Sequence, residues 1–367
     1  MTNGSRLTTP VRPPVEPMLA QLVRELPTGG GWLYEPKWDG FRALVYWDGT
    51  DLLIHSRDQR PLGRYFPEVA AGVQQHLPPG TVLDGEIVIA GPHGLDFDAL
   101  LLRIHPADSR VQLLARDTPA SFVAFDLLAL NGDDLREAPQ IERRRRLEHL
   151  LKDAPPPLYL TPATTDRRLA EQWFERFEGA GLDGVVAKQL DQTYQPGARV
   201  MLKVKHQRTA DCVVAGFRWH KNGPGTAVGS LLLALYDDKA RLHHVGFTAT
   251  FKTAERKALV AKLEPYRGAA DGPWIWPDEA REHFHGPGPG SRWAPGRELE
   301  TVPLRPELVC EVAFDHWQGD GDRPRAGGRF RHGTTFLRWR PDKPPRECTF
   351  DQLTYAVPAE LSEIFGQ

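Results

Sequence analysis

An α+β domain on antiparallel sheets, followed by a smaller β-barrel, is the architecture this sequence predicts. Three observations carry the prediction. The chain has 367 residues, more than a single hydrophobic core usually serves, so two domains are the natural expectation. From Met18 to about Lys205 short apolar runs alternate with helix-like stretches. After Lys205 strand-like runs follow one another directly. The linker is expected near His206 to Ala210, giving a first domain over 18–206 and a second over 207–367.

Each element has its own signal. Residues 1–17 read as a flexible N-terminal arm. Ala43-Leu-Val-Tyr-Trp47, Leu52-Leu-Ile-His55, Thr81-Val-Leu83, Glu86-Ile-Val-Ile89 and Phe122-Val-Ala-Phe125 have the length and β-propensity of strands. Asp48-Gly49, between the first two, is a hairpin turn signal. Leu62 through His76 and Ile141 to Leu151 read as helices, the second with Leu147, Leu150 and Leu151 as its apolar stripe. This mixture makes the α+β class. The basic run Arg143 to Arg146, preceded by Glu142, lies on that second helix and reads as a solvated face, with phosphate binding as the alternative. Farther on, Asp211–Arg218, Gly229–Tyr236 and Leu242–Phe247 look like consecutive strands. A helix over Thr253–Tyr266 and later strands over Glu307–Phe314 and Thr335–Trp339 complete the second part. About five strands with one helix is the pattern of an OB-fold. His285-Gly-Pro-Gly-Pro-Gly-Ser291 can only be loop.

Composition narrows the function. A formal net charge of −2 excludes a uniformly basic nucleic-acid coat but leaves room for local basic patches. The three cysteines, Cys212, Cys310 and Cys348, form no C-x-x-C pair and suit a reducing compartment without a zinc cluster. Nothing fixes a metal geometry for His243, His244, His283 and His285. The N-terminus lacks an apolar signal core and no 18-residue apolar run occurs, so a cytoplasmic protein with no membrane contact is expected.

The most informative segment is Glu35-Pro-Lys-Trp-Asp-Gly-Phe-Arg42. A lysine amine attacks phosphorus only when neutral, and its ordinary pKa is about 10.4. Holding it as the free base near neutral pH costs about 4 kcal/mol, which clustered cations and partial burial can supply. Further motifs follow in order: Ser56-Arg57-Asp58, Leu83-Asp84-Gly85-Glu86-Ile87-Val88, Phe122-Val-Ala-Phe125-Asp126, Leu182-Asp183-Gly184-Val-Val-Ala-Lys188, Met201-Leu-Lys203-Val-Lys205 and Arg338-Trp-Arg340-Pro-Asp342-Lys343. This ordered set resembles the covalent nucleotidyltransferases, and most closely the ATP-dependent DNA ligases of the bacterial ligase C class. Two places depart from the family pattern. Asp183 stands where glutamate is usual, and Met201 where tryptophan is usual.

The resemblance implies an adenylation domain followed by an OB-fold domain, with Lys37 taking up AMP from ATP. It implies nucleotide contacts from Glu35, Arg42, Arg57, Glu86, Phe125, Asp183, Lys188, Arg199, Lys203 and Lys205. Phe125 would stack on adenine, and Glu86 and Asp183 would hold Mg²⁺. Lys203 and Lys205 alternate along a strand and so share a face, which on the family's pattern holds the α-phosphate. Their charge would depress the Lys37 pKa. Arg340 and Lys343 would reach the β- and γ-phosphates after closure of the second domain. From Arg323 to Arg346 there are eight Arg or Lys residues against Asp342 alone. Arg323, Arg325, Arg329, Arg331, Arg338 and Arg346 are therefore expected on the DNA backbone. The NAD-dependent ligases are longer and carry a four-cysteine module, so ATP is the expected nucleotide. Nicked duplex DNA is the expected substrate of a monomeric repair enzyme that partners a repair polymerase or end-binding proteins. An RNA ligase or a capping guanylyltransferase is the alternative.

Overall fold

The computed structural model describes residues 7–91, 94–176, 182–206, 208–268, 301–318 and 327–353, with the backbone strand Trp274–Ile275. The chain divides into two compact units, with the boundary between His206 and Gln207. Arg208 to Ala210, expected as linker, already belong to a strand.

The first unit holds two large sheets and a two-residue ribbon pairing Ala90–Gly91 with Gly94–Leu95. Strands β1 (Leu19–Leu22), β2 (Trp32–Pro36), β3 (Phe41–Trp47), β4 (Leu52–Ser56), β5 (Thr81–Val88), β6 (Ser121–Leu130), β7 (Leu158–Leu160), β8 (Val185–Gln189) and β9 (Arg199–Val204) supply the large sheets. One sheet runs β1-β9-β8-β2 and the other β7-β6-β5-β3-β4. Thr81 to Val88 is one strand where the sequence reads two. The sheets are mixed rather than antiparallel, since β1 pairs in parallel with β9 and β7 with β6. Parallel pairing arises because each partner returns after a long excursion rather than through a hairpin.

Strand β3 shows why the larger sheet lies between two layers. Its sequence is apolar at nearly every position, as suits a strand covered on both faces. Ala43, Val45 and Trp47 join a core with Val69 and Val73 of α1 (Pro67–His76), Leu100 of α2 (Phe97–Leu102) and Leu147 and Leu151 of a later helix (Gln140–Leu151). Leu44 and Tyr46 point the other way, into a core with Met18, Tyr194 and Met201. Each such buried side chain contributes about 1.5–3 kcal/mol. Two further helices, α3 (Asp108–Asp117) and the segment Arg167–Arg176, escape the sequence reading because they are polar overall, although their few apolar residues fall on one face. We label Gln140–Leu151 α4 and Arg167–Arg176 α5.

The arm is a correction. Leu7, Val11 and Val15 are buried with Met18, Leu44 and Tyr46, and Val15 N donates to Tyr46 Oη at 3.2 Å. Its described part, from residue 7, is bound to the domain because its apolar residues find a groove that only the folded sheet provides.

The basic run on α4 is a second correction. Arg143 and Arg144 are buried, and only Arg145 and Arg146 face outward, toward Glu142. Arg143 pairs with buried Asp126 through Nε at 2.7 Å and Nη2 at 3.0 Å. Its remaining donors reach Ala138 O, Gln192 O and Gln140 Oε1. Burial alone would raise the Asp126 pKa, but the Arg143 charge outweighs it and holds the carboxyl low. Arg143→Met is therefore expected to destabilise the protein by about 3–5 kcal/mol, because Asp126 stays buried without its partner. Replacing both residues by apolar ones should cost far less, and urea unfolding of the single and double variants checks both values.

The second unit is a seven-stranded sheet. Its strands are β10 (Arg208–Trp219), β11 (Val228–Tyr236), β12 (Leu242–Thr248), β13 (Trp274–Ile275), β14 (Thr301–Pro303), β15 (Val309–Phe314) and β16 (Thr335–Trp339). The main path is β13-β12-β11-β10-β15-β16, with β14 on β10. Helix α6 (Thr253–Leu263) follows β12, and Pro265 converts the last predicted turn to a 3₁₀ turn. The sheet curls until its flanks meet. Thr248 bridges Thr334, and Thr248 Oγ1 donates to Thr334 O at 2.9 Å. Cys212 and Cys310 are cross-strand neighbours, and both are free buried thiols, as is Cys348. His243 Nε2 donates to Asp237 Oδ2 at 2.9 Å, and burial pushes the His244 pKa down to about 4. His283, His285 and the predicted Gly-Pro loop lie outside the described residues. Among the described residues, no helix is long and apolar enough to cross a membrane.

Candidate active site

The site lies between the two sheets of the first unit. Cross-strand pairing aligns Glu35 of β2 with Val186 of β8 and Lys203 of β9. Partners in register share a face, and Lys188 joins them two residues along. On the larger sheet Arg42 of β3 pairs with Glu86 of β5. Lys188 Nζ connects the two sheets by donating to Phe125 O at 2.9 Å.

Lys37 stands in the short connection between β2 and β3. Its backbone N donates to Gly184 O at 2.9 Å, and its O accepts from Asp183 N at 2.8 Å. Two sequence-distant motifs are thereby locked together. Gly184 is required there, because its φ is +124° and a Cβ would lie 2.0 Å from Val204 O. Gly40 is packed as closely, with a Cβ only 2.2 Å from Ile87 O. Gly40 N donates to Glu86 Oε1 at 3.2 Å.

The charge arrangement differs from the one expected. Lys37 Nζ lies 2.7 Å from Asp183 Oδ2, and Lys205 Nζ lies 2.6 Å from the same oxygen. One carboxylate thus bridges two amines, so cations alone do not surround Lys37. The like-charge crowding falls on Lys203 instead. Its pKa is lowered by burial first, then by Lys205 and Lys37.

Glu86 is partly buried, and the burial of its carboxyl pushes its pKa up to about 7. Lys37 and Arg42 oppose that rise, and Asp39 and Asp84 reinforce it. A folded-state pKa above the unfolded value of 4.5 means stability that is present below about 4.5 and lost as pH rises through about 7. The comparison of Glu86→Gln with the parent isolates that contribution from other titrating groups. The parent is expected to lose stability relative to the variant between about pH 4.5 and 7, by about 3 kcal/mol, read from urea unfolding at each pH.

Arg42 is held away from free charge. Nε and Nη2 grip Asp84 at 2.9 and 2.6 Å, and Nη1 donates to Met18 O at 2.5 Å. Burial disfavours its charge, but Asp84 overrides this and raises its pKa. Tyr194 Oη also donates to Asp84 Oδ2 at 2.7 Å. The guanidinium sits 5.3 Å from the Phe125 ring centroid and Lys188 Nζ sits 4.9 Å from it. Arg42 therefore meets the candidate site through Phe125, with Nε, Nη1 and Nη2 each already bonded to Asp84 or Met18. Phe125 is the extra residue of a β-bulge, since Asp84 pairs with Asp126 and Gly85 with Ala124. Bulges re-aim a side chain beside a site, and the ring is only partly buried.

Glu35 is buried and binds Lys188 Nζ at 2.8 Å. Arg57 occupies the exposed turn after β4. Arg199, exposed at the start of β9, donates to Ala20 O at 3.1 Å. Asp84, Tyr194 and Arg144 escaped the sequence reading. Asp84 had a usable signal, since it shares a strand face with Glu86 two residues on. Among the described residues no cluster of three or more His, Cys, Asp or Glu forms a metal site. Glu86 and Asp183 offer two carboxylates, a donor set that suits Mg²⁺ taking its other ligands from phosphate and water.

In the second unit Arg340 is engaged on both sides. Nη1 lies 2.9 Å from each Asp211 oxygen, and Nη2 lies 2.8 Å from Asp342 Oδ2. Lys343 pairs with Glu347 at 2.9 Å. The arginine stripe is less uniform than its sequence suggests. Arg338 is neutralised by Glu311 at 2.6 Å, and Arg346 packs over the Tyr236 ring at 4.7 Å. Arg329 and Arg331 flank Phe330 beside Trp317 and Gln318. Arg323 and Arg325 lie outside the described residues.

Comparison with known proteins matches this arrangement to named families. The ATP dependent DNA ligase domain model matches residues 17–205, and the ATP dependent DNA ligase C terminal region model matches residues 224–343. The chain belongs to the ATP-dependent DNA ligase family. DNA ligase C2 of Mycolicibacterium smegmatis is 53% identical over 352 residues, covering 94% of this chain and 95% of that protein. DNA ligase C of Mycobacterium tuberculosis is 50% identical over 361 residues, covering 97% and 98%. These relatives place the ligase in the C class, and they do not favour an RNA ligase or a capping enzyme. A solved Lig E DNA ligase shares the fold at TM-score 0.53 and 19% identity, over 88% of this chain and 99% of that one.

Proposed function

We infer that this ATP-dependent DNA ligase works through Lys37. The amine forms a bond to the α-phosphorus of ATP as pyrophosphate leaves. The 5′-phosphate of a nick then takes the AMP, freeing the lysine, and the 3′-hydroxyl displaces AMP to close the strand. The observation that carries the assignment is the convergence of Lys37, Asp183, Lys203 and Lys205, with Lys188 of the same sheet set against the partly buried Phe125 ring. Lys203 and Lys205 offer positive charge to the α-phosphate, and Phe125 offers a stacking face worth about 1–3 kcal/mol. Asp183 holds the Lys37 amine in hydrogen-bond range, as an oriented nucleophile needs. Glu35 would contribute to recognising the adenine edge, and Lys188, held by Glu35 against Phe125, would contact the base or the sugar and phosphate. Mg²⁺, when bound, would be held by Glu86 and Asp183 and would neutralise phosphate charge.

In the same reading residues 18–206 are the adenylation domain and 207–367 an OB-fold domain, supported by five strands of five or more residues, one helix and a Thr248–Thr334 bridge between strands far apart in the sheet. Arg340 and Lys343 serve the leaving pyrophosphate. Arg57 and Arg199 reach the nucleotide or the nicked strand, and the arginines from Arg323 to Arg346 follow the DNA backbone. The enzyme acts as a monomer in repair beside a polymerase or end-binding protein. Intact mass of the purified chain tests the central step. An adduct of one AMP, lost on adding pyrophosphate and discharged by nicked duplex DNA, is the expected result. A guanylate adduct, or an adduct that nicked DNA leaves untouched, would refute it.

A further inference from the structure

We propose that Arg144 is a positioning residue for the nucleobase, holding Glu35 and through it Lys188 against the Phe125 ring. The inference rests on the reading of Glu35, Lys188 and Phe125 as the base-binding side of the site. Arg144 is 5% exposed and Glu35 3%. Arg144 Nε donates to Glu148 Oε1 at 2.7 Å, and its Nη1 lies 3.7 Å from Glu35 Oε1. The other Glu35 oxygen is 2.8 Å from Lys188 Nζ, which in turn donates to Phe125 O and lies over the Phe125 ring. A continuous chain of charged contacts thus runs from the outer side of α4 to the aromatic ring.

Two features separate Arg144 from a helix-packing group. Its neighbours in the run have other tasks, since Arg143 is saturated by Asp126 and Arg145 and Arg146 turn to Glu142. The joint between Arg144 and Glu35 is also unfinished. Arg144 Nη1 and Glu35 Oε1 are both buried and make no hydrogen bond among the described residues. Their 3.7 Å separation is beyond hydrogen-bond range. A buried donor and acceptor left open cost free energy, so Arg144 draws Glu35 against the pull of Lys188. An ammonium is a point charge on a flexible stem, whereas a guanidinium anchored on a helix is a fixed reference. The balance of the two sets where the Lys188 amine stands beside the base.

The test is self-adenylation of the full chain, titrated with ATP, GTP and purine riboside triphosphate, which lacks the 6-amino group. Arg144→Met should raise the KM for ATP roughly tenfold with little change in kcat, and should narrow the preference for ATP over the other two. Arg144→Lys should shift the same ratio less, and it keeps the test readable where methionine disturbs packing. Arg145→Met should leave every value unchanged. An unaltered KM for ATP in both Arg144 variants, or an equal loss with all three triphosphates, would overturn the proposal. Failure of the underlying site reading looks different: the parent would then carry no AMP, or Lys37→Ala would still carry it.

Discussion

Lys37→Ala is expected to carry no AMP adduct and to seal nicked DNA with ATP at least about 10⁴-fold more slowly, as removal of a nucleophile does elsewhere. The loss should be confined to steps that make or break the lysine–phosphorus bond. A nick whose 5′ end already bears AMP asks only for the 3′-hydroxyl to attack, so the variant should still close it. Stability should change little, because Asp183 keeps Lys205 as a partner when the Lys37 amine is removed. Mass spectrometry, sealing of plain and pre-adenylated nicks, and a melting curve separate these outcomes. Failure on the pre-adenylated nick would mean that Lys37 does more than form the covalent bond.

Asp183→Asn has the second largest expected effect. Asp183 lies against both Lys37 and Lys205, at 2.7 and 2.6 Å. Its loss leaves these amines and Lys203 repelling one another, and it removes one of the two carboxylates suited to Mg²⁺. Self-adenylation should fall by roughly 100-fold or more, the scale of losing about 3 kcal/mol at the transition state. Asp183→Glu should retain far more activity, since it keeps the charge and restores the residue usual in the family. The shorter aspartate suffices here because Asp183 N is tied to Lys37 O at 2.8 Å, which carries the carboxylate close to the amine. Rates of adduct formation for the three proteins check the order. Equal rates for Asp183→Asn and the parent would remove Asp183 from the site.

Much of the fold could be read from local patterns. Strands β3, β4, β11 and β12 are runs whose length and composition suit no other element, and α4 shows its leucine stripe. The errors have a common origin in long-range pairing. Nothing near Leu19 says that it will lie parallel to Arg199. The arm has apolar residues at 7, 11 and 15, but their groove is made by β3 and by Met201. The basic run on α4 looks solvated because its acid, Asp126, lies on a different element.

The site divides in the same way. The resemblance of the ordered motifs to a known family was enough to propose Lys37, Glu86, Phe125, Asp183, Lys203 and Lys205, because a chain displays such side-chain types one motif at a time. What surrounds each group is a property of three-dimensional packing. The bulge that re-aims Phe125, the capture of Arg42 by Asp84, the sharing of Asp183 between two amines and the link from Arg144 to Glu35 all join residues from separate elements. Sequence alone determined which reactive groups this ligase owns. Tertiary structure decided which charges face them, since the energy of a charge depends on partners and burial that come together only when the sheets close.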